Sequence, residues 1–420
     1  MRLPRISSGR RFLLLFGVIG PGLITAAVDN DAGGITTYSI AGAEFGYGML
    51  WVLIPITFLL VIVQEMCARM GVVTGKGLAD LIRENFGLKI TLFLMFGLLF
   101  ANLFVTVSEF AGIAAAASLF GISKYVAIPL CVGFVLFAVL KFNYKSLEKF
   151  FLVLILFYFS YIITGFISAP DWSVIAAETV NPSIQFTAAY FVLLVGVIGT
   201  TVTPWMQFYL QSSVVEKGLA MKDYAYSKAE VIIGCILTDL VSFFIIVVCG
   251  TVLFANGVSI DSAADAAGAL MPLAGEYAFI LFSVGLFGAA LFGAFILPIS
   301  TSFYVCEALG WESGVNRTFS EAREFYTILI LLTVIAGAIV LVPDMPLIPL
   351  IVAAQVVNGI LLPFILIPIL LLVNNRRLMG EYVNPAWVNV FAWLGCLILI
   401  LTSVIMIITT IVDWDILGFI

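Results

Sequence analysis

Eleven mostly apolar stretches, each long enough to cross a bilayer, run the length of this 420-residue chain. They begin near Phe12, Tyr47, Ile90, Tyr125, Lys149, Thr187, Tyr226, Glu276, Phe325, Pro346 and Trp387. About 20 apolar residues in helical form match the thickness of the hydrocarbon core. With 63% hydrophobic and 10% charged residues, the chain lacks the polar surface to cover a soluble globule of its size. The expected fold is therefore an all-α integral membrane protein of 11 transmembrane helices. Gaps between spans reach only about twenty residues, as from Ser168 to Phe186 and from Ala255 to Gly275, so residues 1–420 are read as one transmembrane domain with no soluble part.

Basic residues orient the spans. The N-terminus (Arg2, Arg5, Arg10, Arg11) and the even-numbered connections carry 18 of the 19 Lys and Arg residues, and only Lys124 lies opposite. By the positive-inside rule the N-terminus is cytoplasmic and, eleven crossings later, the C-terminus is outside. The six cysteines (Cys67, Cys131, Cys235, Cys249, Cys306, Cys396) fall within or at the ends of spans without a CxxC pair, and are read as small buried fillers. Asn316-Arg317-Thr318 matches a glycosylation sequon, but the topology places it in the cytoplasm as a chance match.

Two spans are interrupted in mid-membrane. In the first, Asp29-Asn30-Asp31-Ala32-Gly33-Gly34 breaks an apolar run that resumes from Ile35 to Phe45. In the sixth, the run from Tyr190 to Gly199 meets Thr200-Thr201-Val202-Thr203-Pro204-Trp205. Five crossings separate the breaks, as an inverted repeat of five helices requires, because units with an odd number of helices face opposite ways. Repeat one would cover about 12–168 and repeat two about 187–373, with an additional helix at about 387–412. Interrupted helices of such repeats meet at the midplane, where freed carbonyls and half-helix ends form an ion or substrate site. The alternative is that the glycines and Pro204 merely kink two packed helices.

Of the 25 acidic residues, only Asp29, Asp31, Glu109 and Asp239 lie well inside spans. A lone charge there costs about 2.5 to 3.5 kcal/mol on insertion scales, and no Lys or Arg in a span interior compensates it. Asp29 and Asp31 would stand about 200° apart on an intact helix, unable to share an ion. An unwound segment removes that restriction, and Gly33 and Gly34 make unwinding cheap. Carboxylate, carbonyl and hydroxyl oxygens suit hard ions such as Mg2+, Mn2+ or Ca2+. The candidate metal set is therefore Asp31, Gly34, Thr200, Thr203, Asp29 and Gln355. Asp31 has a second reading as the N-cap of the resumed helix, and Asp29 as a group facing the outward vestibule. Glu109 and Asp239 either relay protons or hydrogen-bond a neighbouring helix. Gln355 and Asn358 share one face of the tenth span, and either join helices or lend an amide oxygen to an occluded ion. The chain has no histidine, which removes the commonest group for proton transfer near neutral pH.

Several motifs carry a family resemblance. Gly20-Pro21-Gly22, Asp31-Ala32-Gly33-Gly34 and Phe45-Gly46-Tyr47 in the first span resemble the natural resistance-associated macrophage protein (NRAMP) metal transporters. So do Gly71-Val72-Val73-Thr74-Gly75, Ser108-Glu109-Phe110-Ala111-Gly112 and Arg376-Arg377-Leu378-Met379-Gly380-Glu381, so that the likeness covers almost the whole chain. The resemblance implies a leucine-transporter-type fold, alternating access and a divalent metal as substrate. In that family an Asp-Pro-Gly-Asn motif and a Met before the Pro-His of span six coordinate transition metals. Here Asp31 keeps the Asp, Gly34 takes the Asn place, Thr203 the Met place and Trp205 the His place. The expected site is harder and larger, with empty space at Gly34, and the pattern resembles the prokaryotic NRAMP-related magnesium transporters. Thr106 stands where the family's proton route has an Asp, which implies weak or absent proton coupling.

The expected function is import of hydrated Mg2+, and of Mn2+, through the cell membrane of a prokaryote. The implied partners are the ion and the bilayer, with no cofactor, nucleic acid or obligatory protein partner, and no enzyme activity. The alternatives are a proton-coupled Mn2+/Fe2+ importer and an organic-cation or amino-acid carrier of the same fold.

Overall fold

The structure, a computed structural model, describes residues 20–260, 263–343, 345 and 347–416, so the expected start of the first span, from Phe12 to residue 19, lies outside the described residues. Helices α1 (Pro21–Ala27) and α2 (Ala32–Phe45) form the remainder of that span, and α3 (Leu50–Thr74) the second. A short α4 (Leu78–Phe86) leads into α5 (Leu88–Leu119) and α6 (Lys124–Lys141). Next come α7 (Tyr144–Leu154) and α8 (Phe159–Ile167), joined by a 3-10 turn at Ile155–Tyr158, and the short α9 (Trp172–Val180). The chain continues through α10 (Ala188–Thr201), α11 (Pro204–Glu216), α12 (Tyr224–Val252), α13 (Ala263–Ala274), α14 (Glu276–Leu309) and α15 (Arg323–Leu341). It closes with α16 (Leu347–Val373), the one-turn α17 (Arg376–Met379) and α18 (Ala386–Ile416). Among the described residues, ten helical segments are long and apolar enough to cross a membrane, counting α7–α8 and α10–α11 as one each.

Apolar side chains face both ways, as a bilayer demands. Phe93 and Phe96 are 72% and 73% exposed, which suits acyl chains and would be costly in water. Inside, α14 packs on α5, α10 on α16, and α12 on α1, α2 and α3. The two interrupted spans touch twice, α2 against α10 and α1 against α11, which sets their breaks side by side. Helix α18 lies on α16 and α10. All six cysteines are free; five are buried and Cys131 is half-buried, as expected of fillers.

The connections rich in Lys and Arg converge on one end of the bundle. Buried Arg69, at the end of α3, donates to the Tyr382 carbonyl (2.6 Å), to Asn384 Oδ1 (2.5 Å) and to Glu65 (3.1 Å). Glu65 also accepts the Tyr224 hydroxyl. Lys217 pairs with Glu148 at 2.6 Å, and Tyr144 N–H donates to Asn316 Oδ1 at 3.1 Å. Glu307 accepts Ser212 Oγ (2.5 Å) and the Ala79 N–H (3.3 Å). Glu230 takes the N–H groups of Gly20 and Leu23, the latter at 3.1 Å, and so ties the start of α1 to the same end.

Candidate metal site

The first crossing loses its helix at Asp31. Helix α1 tightens into a 3-10 turn at Val28–Asn30, and Asp31 is extended (φ −69°, ψ −178°) before α2 restarts. A new helix N-terminus has N–H groups without intrahelical acceptors, and a short carboxylate satisfies one of them. Asp31 Oδ1 does this by accepting the Gly34 N–H at 2.7 Å. Glu109, from α5, caps the same end: its Oε2 accepts the Ala32 N–H at 3.1 Å and its Oε1 the Ser108 hydroxyl at 3.2 Å. The two carboxyl groups are also close electrostatic neighbours.

Gly33 and Gly34 admit the rest of the site. A Cβ on Gly34 would stand 2.5 Å from the Asp29 carbonyl oxygen, 3.0 Å from Thr200 Oγ1 and 3.4 Å from Asp31 Oδ1. One on Gly33 would run into Gln355 Nε2. The space expected to be empty beside Gly34 is thus taken by a carbonyl and a hydroxyl oxygen, because the backbone fold at the break brings Asp29 and Thr200 against it. Carboxylate, carbonyl and hydroxyl oxygens meet here without a sulfur or an imidazole.

The sixth crossing breaks for a different local reason. Pro204 opens α11, and proline disfavours helix in the residue before it. Val202 (φ −118°, ψ 63°) and Thr203 (φ −66°, ψ 134°) are accordingly out of helical geometry. The Thr203 hydroxyl donates to the Thr200 carbonyl at 2.8 Å, which leaves its lone pairs unused. On α16, Gln355 Oε1 accepts Asn358 Nδ2 at 3.3 Å, and Gln355 Nε2, toward Gly33, has no acceptor. Turning that amide over would present its oxygen to the site instead.

The structure thus brings Asp31, Gly34, Thr200, Gln355 and Glu109 together, with Thr203 attached through Thr200. Asp29 joins them by its carbonyl, whereas its carboxylate has Asp239 of α12 as its foremost charged neighbour, ahead of Asp31. The unwinding does not let the two aspartates point one way. Asp29 still lies in the 3-10 turn, whereas Asp31 has left it for extended geometry. Asp239 belongs to this other neighbourhood and not to the Asp31 cluster.

Three buried polar groups escaped the sequence reading. Tyr158, at the 3-10 turn in the fifth span, has an unpartnered hydroxyl within electrostatic reach of Asp31 and Glu109. In the run Phe157-Tyr158-Phe159 it reads as an aromatic filler. Gln64 Nε2 donates to Gln207 Oε1 at 3.0 Å, linking the second and sixth spans. Asn30 Nδ2 donates to Thr238 and its Oδ1 accepts Ser242 Oγ, pinning the break to α12. Isolated amides inside apolar runs are the only signal Gln64 and Gln207 leave, whereas Asn30 stands between the two aspartates of the break. Among the described residues, no group of three or more His, Cys, Asp and Glu side chains could hold a metal. An ion here would rest on mixed oxygens.

A family model described as natural resistance-associated macrophage protein-like matches residues 22–409. The chain is 26% identical over 417 residues to the divalent metal cation transporter MntH of Bacillus subtilis (strain 168), covering 96% of this chain and 94% of that protein. It is 29% identical over 421 residues to the divalent metal cation transporter MntH 1 of Pseudomonas aeruginosa, covering 93% and 90%. The crystal structure of the Eremococcus coleocola manganese transporter, in complex with an aromatic bis-isothiourea substituted compound, superposes with a TM-score of 0.79. At 21% identity it covers 97% of this chain and 88% of its own, a likeness of fold.

Proposed function

This chain belongs to the natural resistance-associated macrophage protein family, and on that premise we propose that it imports hydrated Mg2+, and Mn2+ as well, by alternating access without obligatory proton coupling. The family carries metal ions across membranes; it is not a family of enzymes, and the MntH relatives are divalent metal cation transporters. What supports the choice of ion is the all-oxygen set at the paired breaks: the Asp31 carboxylate, the Asp29 carbonyl and the Thr200 hydroxyl around Gly34.

Mg2+ gives up its water reluctantly and is usually bound through one or two carboxylates with several waters kept. A soft sulfur would favour transition metals over it, and none is in this set. The reading places the N-terminus in the cytoplasm, counts eleven crossings with α1–α2 as the first, and relates the first five to the next five by an inverted repeat. The convergence of the basic connections on one end supports that count, since N-terminus and even-numbered connections must then share a side. Alternating access would move that end, with its Arg69, Lys217 and Glu230 contacts, against the half containing α2 and α10.

The membrane potential supplies the driving force. Two charges moving inward gain about 4.6 kcal/mol per 100 mV, enough for accumulation on the order of a thousandfold. In proteoliposomes, Mg2+ at millimolar concentration is expected to block Mn2+ uptake, and uptake is expected to proceed without acidification of the lumen. Uptake of Mn2+ indifferent to Mg2+, or stoichiometric proton entry, would instead establish a proton-coupled Mn2+/Fe2+ importer.

A further inference from the structure

Two carboxylates stay outside the site above. Asp29, in the 3-10 turn, and Asp239, in the middle of α12, are 1% and 5% exposed, and none of their four oxygens has a hydrogen-bond partner. Buried acceptors are almost always paired, and a charge at this depth needs a partner more than any other group. No Lys or Arg is among the groups acting on either aspartate.

Most of the surrounding donors are turned to other uses, the unpartnered Tyr158 hydroxyl, within electrostatic reach of Asp29, being the exception. Asn30 Nδ2 serves the Thr238 carbonyl (2.8 Å) and hydroxyl (2.7 Å), and Ser242 Oγ donates to Asn30 Oδ1 at 2.8 Å. The Tyr38 hydroxyl, within electrostatic reach of both aspartates, bonds to Thr201 Oγ1 at 2.7 Å. The Thr57 hydroxyl approaches Asp239 but donates to the Leu53 carbonyl at 2.5 Å. Hydroxyls whose hydrogens are engaged elsewhere still offer lone pairs. Unused acceptors, the four carboxylate oxygens foremost, therefore outnumber unused donors here, as a cation site requires.

We propose that Asp29 and Asp239, with the hydroxyl oxygens of Tyr38 and Thr57, form a second binding site for a hydrated divalent cation, distinct from the Asp31 site. Two carboxylates balance one divalent charge, and so few protein oxygens leave the rest of an octahedral shell to water, the habit of Mg2+. Asp29 belongs to both sites, its carboxylate here and its carbonyl beside Gly34 and Thr200. An ion thus moves between the two by exchanging one oxygen of Asp29 for another. This inference rests on the transport reading for its cargo, but its carboxylates are not the one that Asp31 supplies to the first site.

Equilibrium dialysis of Mn2+ against the purified full chain tests it. The wild type is expected to bind two ions, the second at least about tenfold more weakly because like charges repel. Asp239→Asn and Asp31→Asn should each retain one ion and the double variant none, whereas Asp239→Glu keeps both. Thr57→Val, which removes only a hydroxyl, should weaken one step severalfold, and covers the case in which Asp239→Asn fails to fold. A wild type that binds one ion, removed by Asp31→Asn alone, overturns the second site and leaves the transport reading standing. So does an Asp239→Asn variant that binds as many ions as the wild type. An Asp31→Asn variant with full binding and uptake instead defeats the first site, while the Asp239 arm still decides the second.

Discussion

Asp31 and Glu109 meet at the N-terminus of α2, where Asp31 Oδ1 takes the Gly34 N–H at 2.7 Å and Glu109 Oε2 takes the Ala32 N–H at 3.1 Å. Two acidic side chains from different crossings thus complete one helix end. The positive end of the helix dipole favours them there. The same placement that caps the helix would also present carboxylate oxygens to an ion, so the capping role of Asp31 and its proposed role in the metal site must be separated by choice of substitution.

Asn caps as well as Asp but carries no charge. Asp31→Asn is therefore expected to keep thermal stability and lose Mn2+ uptake to background. Asp31→Ala should lose uptake and, in addition, about 1 kcal/mol of stability from the missing cap. Melting curves in detergent beside uptake in proteoliposomes check both, and an Asn variant that still transports removes Asp31 from the site.

Glu109→Gln keeps an oxygen for the Ala32 N–H and gains an N–H for Asp31. Under uncoupled transport, uptake should fall by no more than about threefold, an effect of under about 1 kcal/mol. Uptake at background would mean that Glu109 must exchange a proton in each cycle.

Restoring the family's own residues should have unequal effects. A side chain on Gly34 meets the Asp29 carbonyl at 2.5 Å and Thr200 Oγ1 at 3.0 Å, so Gly34→Asn forces the break apart. Overpacking typically costs about 1 to 3 kcal/mol, which predicts a drop in uptake of about tenfold or more. Thr203→Met instead sacrifices one hydrogen bond to the Thr200 carbonyl, worth about 1 kcal/mol, and introduces sulfur. Its expected result is that Mg2+ becomes about tenfold poorer at blocking Mn2+ uptake, with uptake of Cd2+ gained.

At the basic end, Arg69 and Glu65 form a largely buried pair, their side chains 7% and 12% exposed. Arg69→Met strands the Glu65 carboxylate and the Tyr382 carbonyl, and is expected to cost about 3 to 5 kcal/mol. Adding Glu65→Gln should recover part of that loss, because the uncompensated charge disappears. Thermal unfolding of the two single variants and the double variant measures the coupling.

The amino-acid sequence by itself determined the membrane class, the positions of the breaks and the chemistry of the candidate site. Each depends on composition over a short stretch: apolar length matched to a bilayer, glycines beside Asp31, a proline after Thr203. Only the tertiary structure decided which side each buried polar group takes. Asp29 lies two residues from Asp31, yet its carboxylate sits with Asp239, about two hundred residues away in the chain. Gly34 promised open space, and Thr200 from another crossing closes on it. Nothing in the sequence singles out Tyr158, whose hydroxyl the fifth span brings within electrostatic reach of Asp31 and Glu109. The reason is physical: a local break frees backbone and side chains from helical periodicity, and what they then meet depends on helices packed from distant parts of the chain.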